Sequence, residues 1–133
     1  MRPLPLPDQD TAFFWEGTAQ RKLLILRCEA CGSYVHYPKP ACPLCGAASL
    51  TPTEVSGRGH VHTFTVTHRA VPGFEQPFVV AMIELDEQPG LRLISNVIGV
   101  EPDAVSIGMR VEVTFQPAAD DVWLPVFRPE AGR

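Results

Sequence analysis

The spacing of apolar residues changes several times along the chain, and each change marks a new element. Residues 1–8 alternate proline with leucine and read as an extended arm without internal structure. Asp8 or Asp10 can then cap a short helix reaching about Lys22. That helix carries Phe13, Phe14 and Trp15 in succession, an arc too wide for one narrow apolar stripe. The trio reads either as packing against the protein's own domains or, on at least one side, as docking a partner subunit, since large apolar patches usually mark contacts. Leu23–Arg27 is a short apolar strand, with Tyr34–Tyr37 as its return. The segment 51–57 reads as a linker.

Beyond the linker the period becomes that of strands. Five are expected: 58–69, 78–85, 91–98, 110–116 and 122–127, with one helical turn within 101–108, between the third and fourth. Val111, Val113 and Phe115 should face inward, and Pro125 should place the last strand at an edge or barrel rim. Gly57 and Gly59 should relieve crowding where the first of these strands starts and bends. This order of elements predicts an OB-fold barrel over an SH3-like one. The fold class is therefore mainly β: a short N-terminal helix, a small β-ribbon, then a five-stranded OB-fold barrel. The expected divisions are 1–22 for arm and helix, 23–50 for the ribbon and 51–133 for the OB-fold domain.

The sharpest chemical signal lies in the ribbon. All four cysteines form two C-x-x-C pairs, Cys28/Cys31 and Cys42/Cys45, each followed by a glycine (Gly32, Gly46). Two such knuckles hold one metal ion from opposite sides, and four thiolates leave no open coordination position. The expected cofactor is one structural zinc ion; iron would make the site redox-active. With all four thiols used as ligands, none remains as a nucleophile, and no G-x-S-x-G, P-loop or G-x-G-x-x-G motif is present. No catalytic residues are expected.

Charge narrows the partners. The formal net charge is −4 over 133 residues: +1 in residues 1–50 and −5 in 51–133, with only two lysines, Lys22 and Lys39. An acidic barrel with scattered arginines is ill suited to nucleic acid. No apolar run approaches membrane-spanning length and the N-terminus lacks a signal-peptide core, so a cytoplasmic protein is expected. His60, His62 and His68, at even spacing, are expected on one strand face as partly exposed residues rather than a metal site. Glu84, Asp86 and Glu87 read as a solvated strand end. The loop after His68 combines Arg69 with Val71, Pro72, Gly73 and Phe74, a mixture suited to an apolar ligand bearing phosphate or to a protein partner.

Several motifs in the same order resemble one known family over nearly the whole chain. They are Phe14-Trp15-Glu16-Gly17, the two cysteine knuckles, Ser56–Thr67, His68-Arg69-Ala70, Pro72-Gly73-Phe74, Pro77–Ala81, Ile83–Asp86, Ser95-Asn96-Val97 and Ile107–Val113. The family joins a rubredoxin-like zinc ribbon to a C-terminal OB-fold and was long catalogued as a domain of unknown function. The resemblance implies a subunit or fused domain, not catalytic by itself, beside thiolase-like enzymes or MaoC-type enoyl-CoA hydratases. It implies a hetero-oligomer handling acyl-CoA in lipid or steroid side-chain breakdown. On this reading Phe13, Phe14 and Trp15 help dock the partner, and His68, Arg69 and Phe74 lie near acyl-CoA or the partner.

Overall fold

The computed structural model describes residues 5–6, 8–68, 77–120 and 122–130. Helix α1 spans Ala12–Ala19, shorter than expected at both ends. Asp8 does not cap it directly. Its Oδ1 accepts the N–H groups of Asp10 and Thr11, each at 2.9 Å, and so builds a turn ahead of the helix. At the other end Lys22 N–H reaches the Gly17 carbonyl and Arg21 N–H the Thr18 carbonyl, both at 2.9 Å. Arg21 there has a left-handed φ of 59°. This pair of bonds is the Schellman stop, and it turns the chain straight into the ribbon.

The ribbon is a three-stranded antiparallel sheet in the order β2-β1-β3. Its strands are β1 (Leu24–Cys28), β2 (Tyr34–Val35) and β3 (Leu50–Glu54). Strand β3 corrects the linker reading of 51–57, because Leu50–Glu54 pairs along the whole of β1, from Cys28↔Leu50 to Leu24↔Glu54. Pro52 and the flanking threonines hid it. Proline is tolerated on an edge strand, and β3 lies at the edge of this sheet.

The remaining strands close a barrel: β4 (Arg58–Thr67), β5 (Phe78–Leu85), β6 (Arg92–Val97), β7 (Arg110–Ala119) and β8 (Val122–Pro129). Their order is β4-β5-β6-β8-β7, closed by pairing of β4 with β7 around Gly59↔Val111. A 3-10 turn at Pro102–Ala104 separates β6 from β7. Five strands in this circular order, with that turn in that place, make an OB-fold.

The barrel interior follows the strand period. On β5, Val79, Ala81, Ile83 and Leu85 are buried, and Val61, Val111 and Phe127 meet them from other strands. Val113 and Phe115 pack against the same core, partly buried. One correction concerns β4. Val61 pairs with Ile83 but Thr63 pairs with Met82, so His62 forms a bulge. A bulge inverts the face of every later residue. Gly59 and Val61 point inward before it, while Phe64 and Val66 pack on the core after it. The even-numbered histidines therefore do not share one face: His60 lies opposite Glu84 on the outside of the barrel.

The ribbon is not a free appendage. Phe14 of α1 with Leu23, Ile25 and Val55 belongs to the same buried cluster as the barrel interior. Leu26, Cys28, Val35 and Cys42 form a second, smaller cluster. β1 thus sends alternate side chains into two cores.

Gly59 sits where β4 crosses closest to β5: a methyl group there would collide with the carbonyl oxygen of Glu84. The obstacle is backbone, which cannot rotate away. Gly59→Ala is expected to lower stability by about 1–3 kcal/mol, read as a reduced urea midpoint with an unchanged slope.

Candidate metal centre and partner face

Each cysteine pair is built by the same turn. In the first, Gly32 N–H donates to the Cys28 carbonyl at 2.8 Å and Cys28 N–H to the Ser33 carbonyl at 2.8 Å. In the second, Gly46 donates to Cys42 and Cys42 to Ala47, again at 2.8 Å. Gly32 and Gly46 both have φ 80°, a left-handed conformation that explains why glycine follows each pair. Arg27 braces the first knuckle, with Nε donating to the Gly32 carbonyl at 2.9 Å and the guanidinium 5.1 Å from the centroid of the Tyr34 ring.

The four sulfurs converge. All lie within 4.8 Å of one another, with Cys28–Cys45 at 3.5 Å and Cys31–Cys42 at 3.7 Å. A tetrahedron with Zn–S bonds of about 2.3 Å has edges of about 3.8 Å, so the arrangement fits a four-thiolate zinc site. Cys28 and Cys42 are buried and Cys31 and Cys45 exposed. Sulfurs this close compete for protons. The Ser33 hydroxyl and N–H draw the Cys31 thiol down to about 6. The Ala47 N–H pulls Cys45 the same way, yet the neighbouring sulfurs of Cys28, Cys31 and Cys42 push it up to about 12. A divalent cation removes that conflict by holding all four as thiolates. Among the described residues these four are the group placed to hold a metal.

Around the centre, ribbon and barrel are tied by polar bonds the sequence did not single out. The Gln88 side chain clasps the Tyr34 backbone, its Oε1 accepting the N–H at 2.8 Å and its Nε2 donating to the carbonyl at 3.1 Å. Glu87 Oε2 accepts the Ser56 N–H at 2.7 Å. Among the carboxylates read as a solvated strand end, Glu84 bonds Arg92 at 3.0 Å and Asp86 takes Arg110 in a fork at 2.8 and 2.6 Å. Both carboxyls are held below their ordinary values, first by those arginine hydrogen bonds.

The aromatic trio divides. Phe14 is buried against the barrel core and stacks on His36 with ring centroids 5.8 Å apart. Phe13 and Trp15 are partly buried, and Phe13 touches both clusters. Arg21, just past the helix, lies 4.7 Å over the Trp123 ring of β8 and holds α1 to the barrel wall. His68 is exposed just after β4. Arg69 and Phe74 lie outside the described residues, as does the rest of the loop 69–76.

One zinc per chain is expected by elemental analysis of protein purified without added metal. Cys28→Ser or Cys42→Ser should abolish it. Stripping the metal should lower the melting temperature by roughly 10 °C or more.

Comparison with known proteins agrees with this geometry. Residues 15–51 match the rubredoxin-like zinc ribbon domain of ChsH2, and residues 52–116 match the C-terminal OB-fold domain of ChsH2. A probable enoyl-CoA hydratase alpha subunit of Thermomonospora curvata is 43% identical over 130 residues, 97% of this chain and 40% of that protein. The 3-oxo-4,17-pregnadiene-20-carboxyl-CoA hydratase alpha subunit of Mycobacterium tuberculosis is 41% identical over 112 residues, 84% of this chain and 35% of that protein. The chain thus spans well under half the length of these two relatives. A DUF35 domain-containing scaffold protein of Methanocaldococcus jannaschii is 34% identical, with 87% of this chain and 84% of that protein covered. Among solved structures, an Ltp2–ChsH2(DUF35) aldolase superposes with a TM-score of 0.87 at 43% identity, covering 94% of this chain and 98% of that one. A ribbon and barrel shared in order, coverage and shape settle the lineage: this chain belongs to the DUF35 family, in its ChsH2 form of a rubredoxin-like zinc ribbon followed by an OB-fold.

Proposed function

We propose that this chain is an accessory subunit or module, not catalytic by itself. It docks on a thiolase-like aldolase or acyltransferase, or on a MaoC-type enoyl-CoA hydratase, and helps bind or channel an acyl-CoA thioester. The observation that carries this reading is the likeness to the ChsH2 chain of an aldolase assembly, at 43% identity over nearly the full length. The relatives named as hydratase alpha subunits support the same kind of partner. The cysteine chemistry is consistent with it, because a four-thiolate shell has no position at which substrate could bind.

In this reading the zinc ion is structural and the partner supplies the reacting groups. Phe13 and Trp15 present the partly buried side of α1 to the partner, and Phe14 fixes the helix from within. His68, Arg69 and Phe74 are assigned contact with acyl-CoA or the partner, the arginine answering phosphate and the phenyl ring answering apolar parts of the ligand. The working unit divides as arm and helix 1–22, a ribbon that runs on from 23 through β3 to Glu54, past the expected boundary at 50, and the OB-fold barrel from Arg58. Its setting is the cytoplasm, and the acyl groups served are those of lipid or steroid side-chain breakdown, in line with the steroid-derived name of one relative.

Co-expression with a thiolase-like or MaoC-type hydratase protein tests the proposal. The two are expected to co-elute, and Trp15→Ala should weaken the complex roughly ten-fold or more, as loss of an aromatic anchor does. Arg69→Ala should raise KM for acyl-CoA in the complex while leaving assembly intact. Separate elution, with the enzyme soluble and fully active alone, would overturn the reading.

A further inference from the structure

The arm Pro3-Leu4-Pro5-Leu6-Pro7 alternates its two residue types and carries no charge. Its described residues, Pro5 and Leu6, join neither buried cluster. They differ sharply in surroundings: Leu6 is 92% exposed, whereas Pro5 lines a cleft beside β6 and β8. The arm is tied down at its other end. Asp8 N–H donates to the Thr11 hydroxyl at 3.1 Å, and Asp8 Oδ1 accepts the Thr11 N–H at 2.9 Å. Thr11 borders the same cleft.

The cleft holds about 500 Å³ and is lined by Phe14, Trp15 and Tyr37 together with Ile94, Leu124 and Val126. Ile94 is 57% and Tyr37 53% exposed, so two large apolar groups at this cleft lack cover.

Three observations restrict what can cover them. Among the described lining residues none is Lys, Arg, Asp or Glu, and burial pulls His36 down to about 4, leaving it neutral at physiological pH. A charged occupant therefore finds no counter-charge. Next, the backbone edge is engaged: Ile94 N–H goes to the Tyr37 hydroxyl at 3.1 Å, and the Pro125 carbonyl accepts the Ser95 hydroxyl at 2.8 Å. An added β-strand would have to break these bonds, whereas a polyproline II segment needs no ladder. Finally, Trp15 and Tyr37 are the ring types on which proline-rich segments dock, and Tyr37, as acceptor from Ile94, keeps its O–H proton to donate.

We propose that this chain's own Pro3-Leu4-Pro5 segment lies along the cleft as a polyproline II strap. Pro5 already stands at the cleft, and four residues upstream of it at about 3.1 Å each reach about 12 Å. The strap covers Ile94 and Tyr37, and a proline carbonyl takes the Tyr37 hydroxyl proton. Arg2, the nearest charge upstream, stays in solvent. The strap is a property of the chain alone. One consequence does rest on the docking role proposed above: a partner that uses Trp15 must displace the strap first.

NMR on the zinc-loaded full chain, without a partner, tests the strap. Nuclear Overhauser contacts from Pro3 and Leu4 to the side chains of Tyr37 and Ile94 are expected. An uncharged gadolinium chelate, added as a surface probe, should relax the Ile94 and Tyr37 side-chain protons only weakly. Pro3→Asp with Pro5→Asp places charge against a lining with no counter-charge, and should raise that relaxation roughly two-fold or more. Melting temperature and zinc content should stay unchanged. Ile94→Asp, at an exposed position, is the second variant and should abolish the contacts from Leu4 to Tyr37. The proposal is overturned if the unmodified chain lacks the contacts, or if the surface probe relaxes both forms equally. Contacts that persist in folded Ile94→Asp would overturn it too. So would contacts found only between labelled and unlabelled chains in a mixed sample, which would assign the cleft to the arm of a second copy.

Discussion

The rest of the structure depends on the double packing of strand β1. Ile25 is fully buried in the barrel cluster, while Leu26 and Cys28 face the cysteine cluster. Burying one such aliphatic side chain stabilises by about 1.5–3 kcal/mol, so Leu23 and Ile25 together are a sizeable share of the margin of a small domain. That gain exists only if β1 is held straight. What holds it is the pairing with β3 on one side and the knuckle at Cys28 on the other. The metal site therefore acts beyond the ribbon: it fixes a strand whose opposite face completes the barrel.

The same coupling places helix α1. α1 ends in a tight stop and runs directly into β1, so the helix carrying Phe13 and Trp15 has its position set by the ribbon. Gln88 and Tyr37 add polar ties between ribbon and barrel. Clamp and helix are thus joined through β1, with the four-sulfur site at its end.

Much of this was legible in the sequence because local rules agreed. Two C-x-x-C-G repeats specify the knuckles, since only glycine readily takes the φ of 80° found at Gly32 and Gly46. Clean alternation at Val111, Val113 and Phe115 gave β7 its inward face. What escaped was non-local. Strand β3 is specified by its pairing with β1 and not by its own composition, which contains Pro52. The bulge at His62 follows from register against β5, so even spacing alone misplaced the three histidines. Gln88 carries no motif, and its clasp on the Tyr34 backbone joins residues far apart in sequence.

Amide hydrogen exchange before and after zinc removal tests the central claim most directly. If the cysteine clamp supports the barrel through β1, stripping the metal should deprotect β1 and β3. It should also speed exchange at barrel amides such as Ala81, Ile83 and Val111. Loss of protection confined to the knuckles and ribbon, with those barrel amides unchanged, would contradict it.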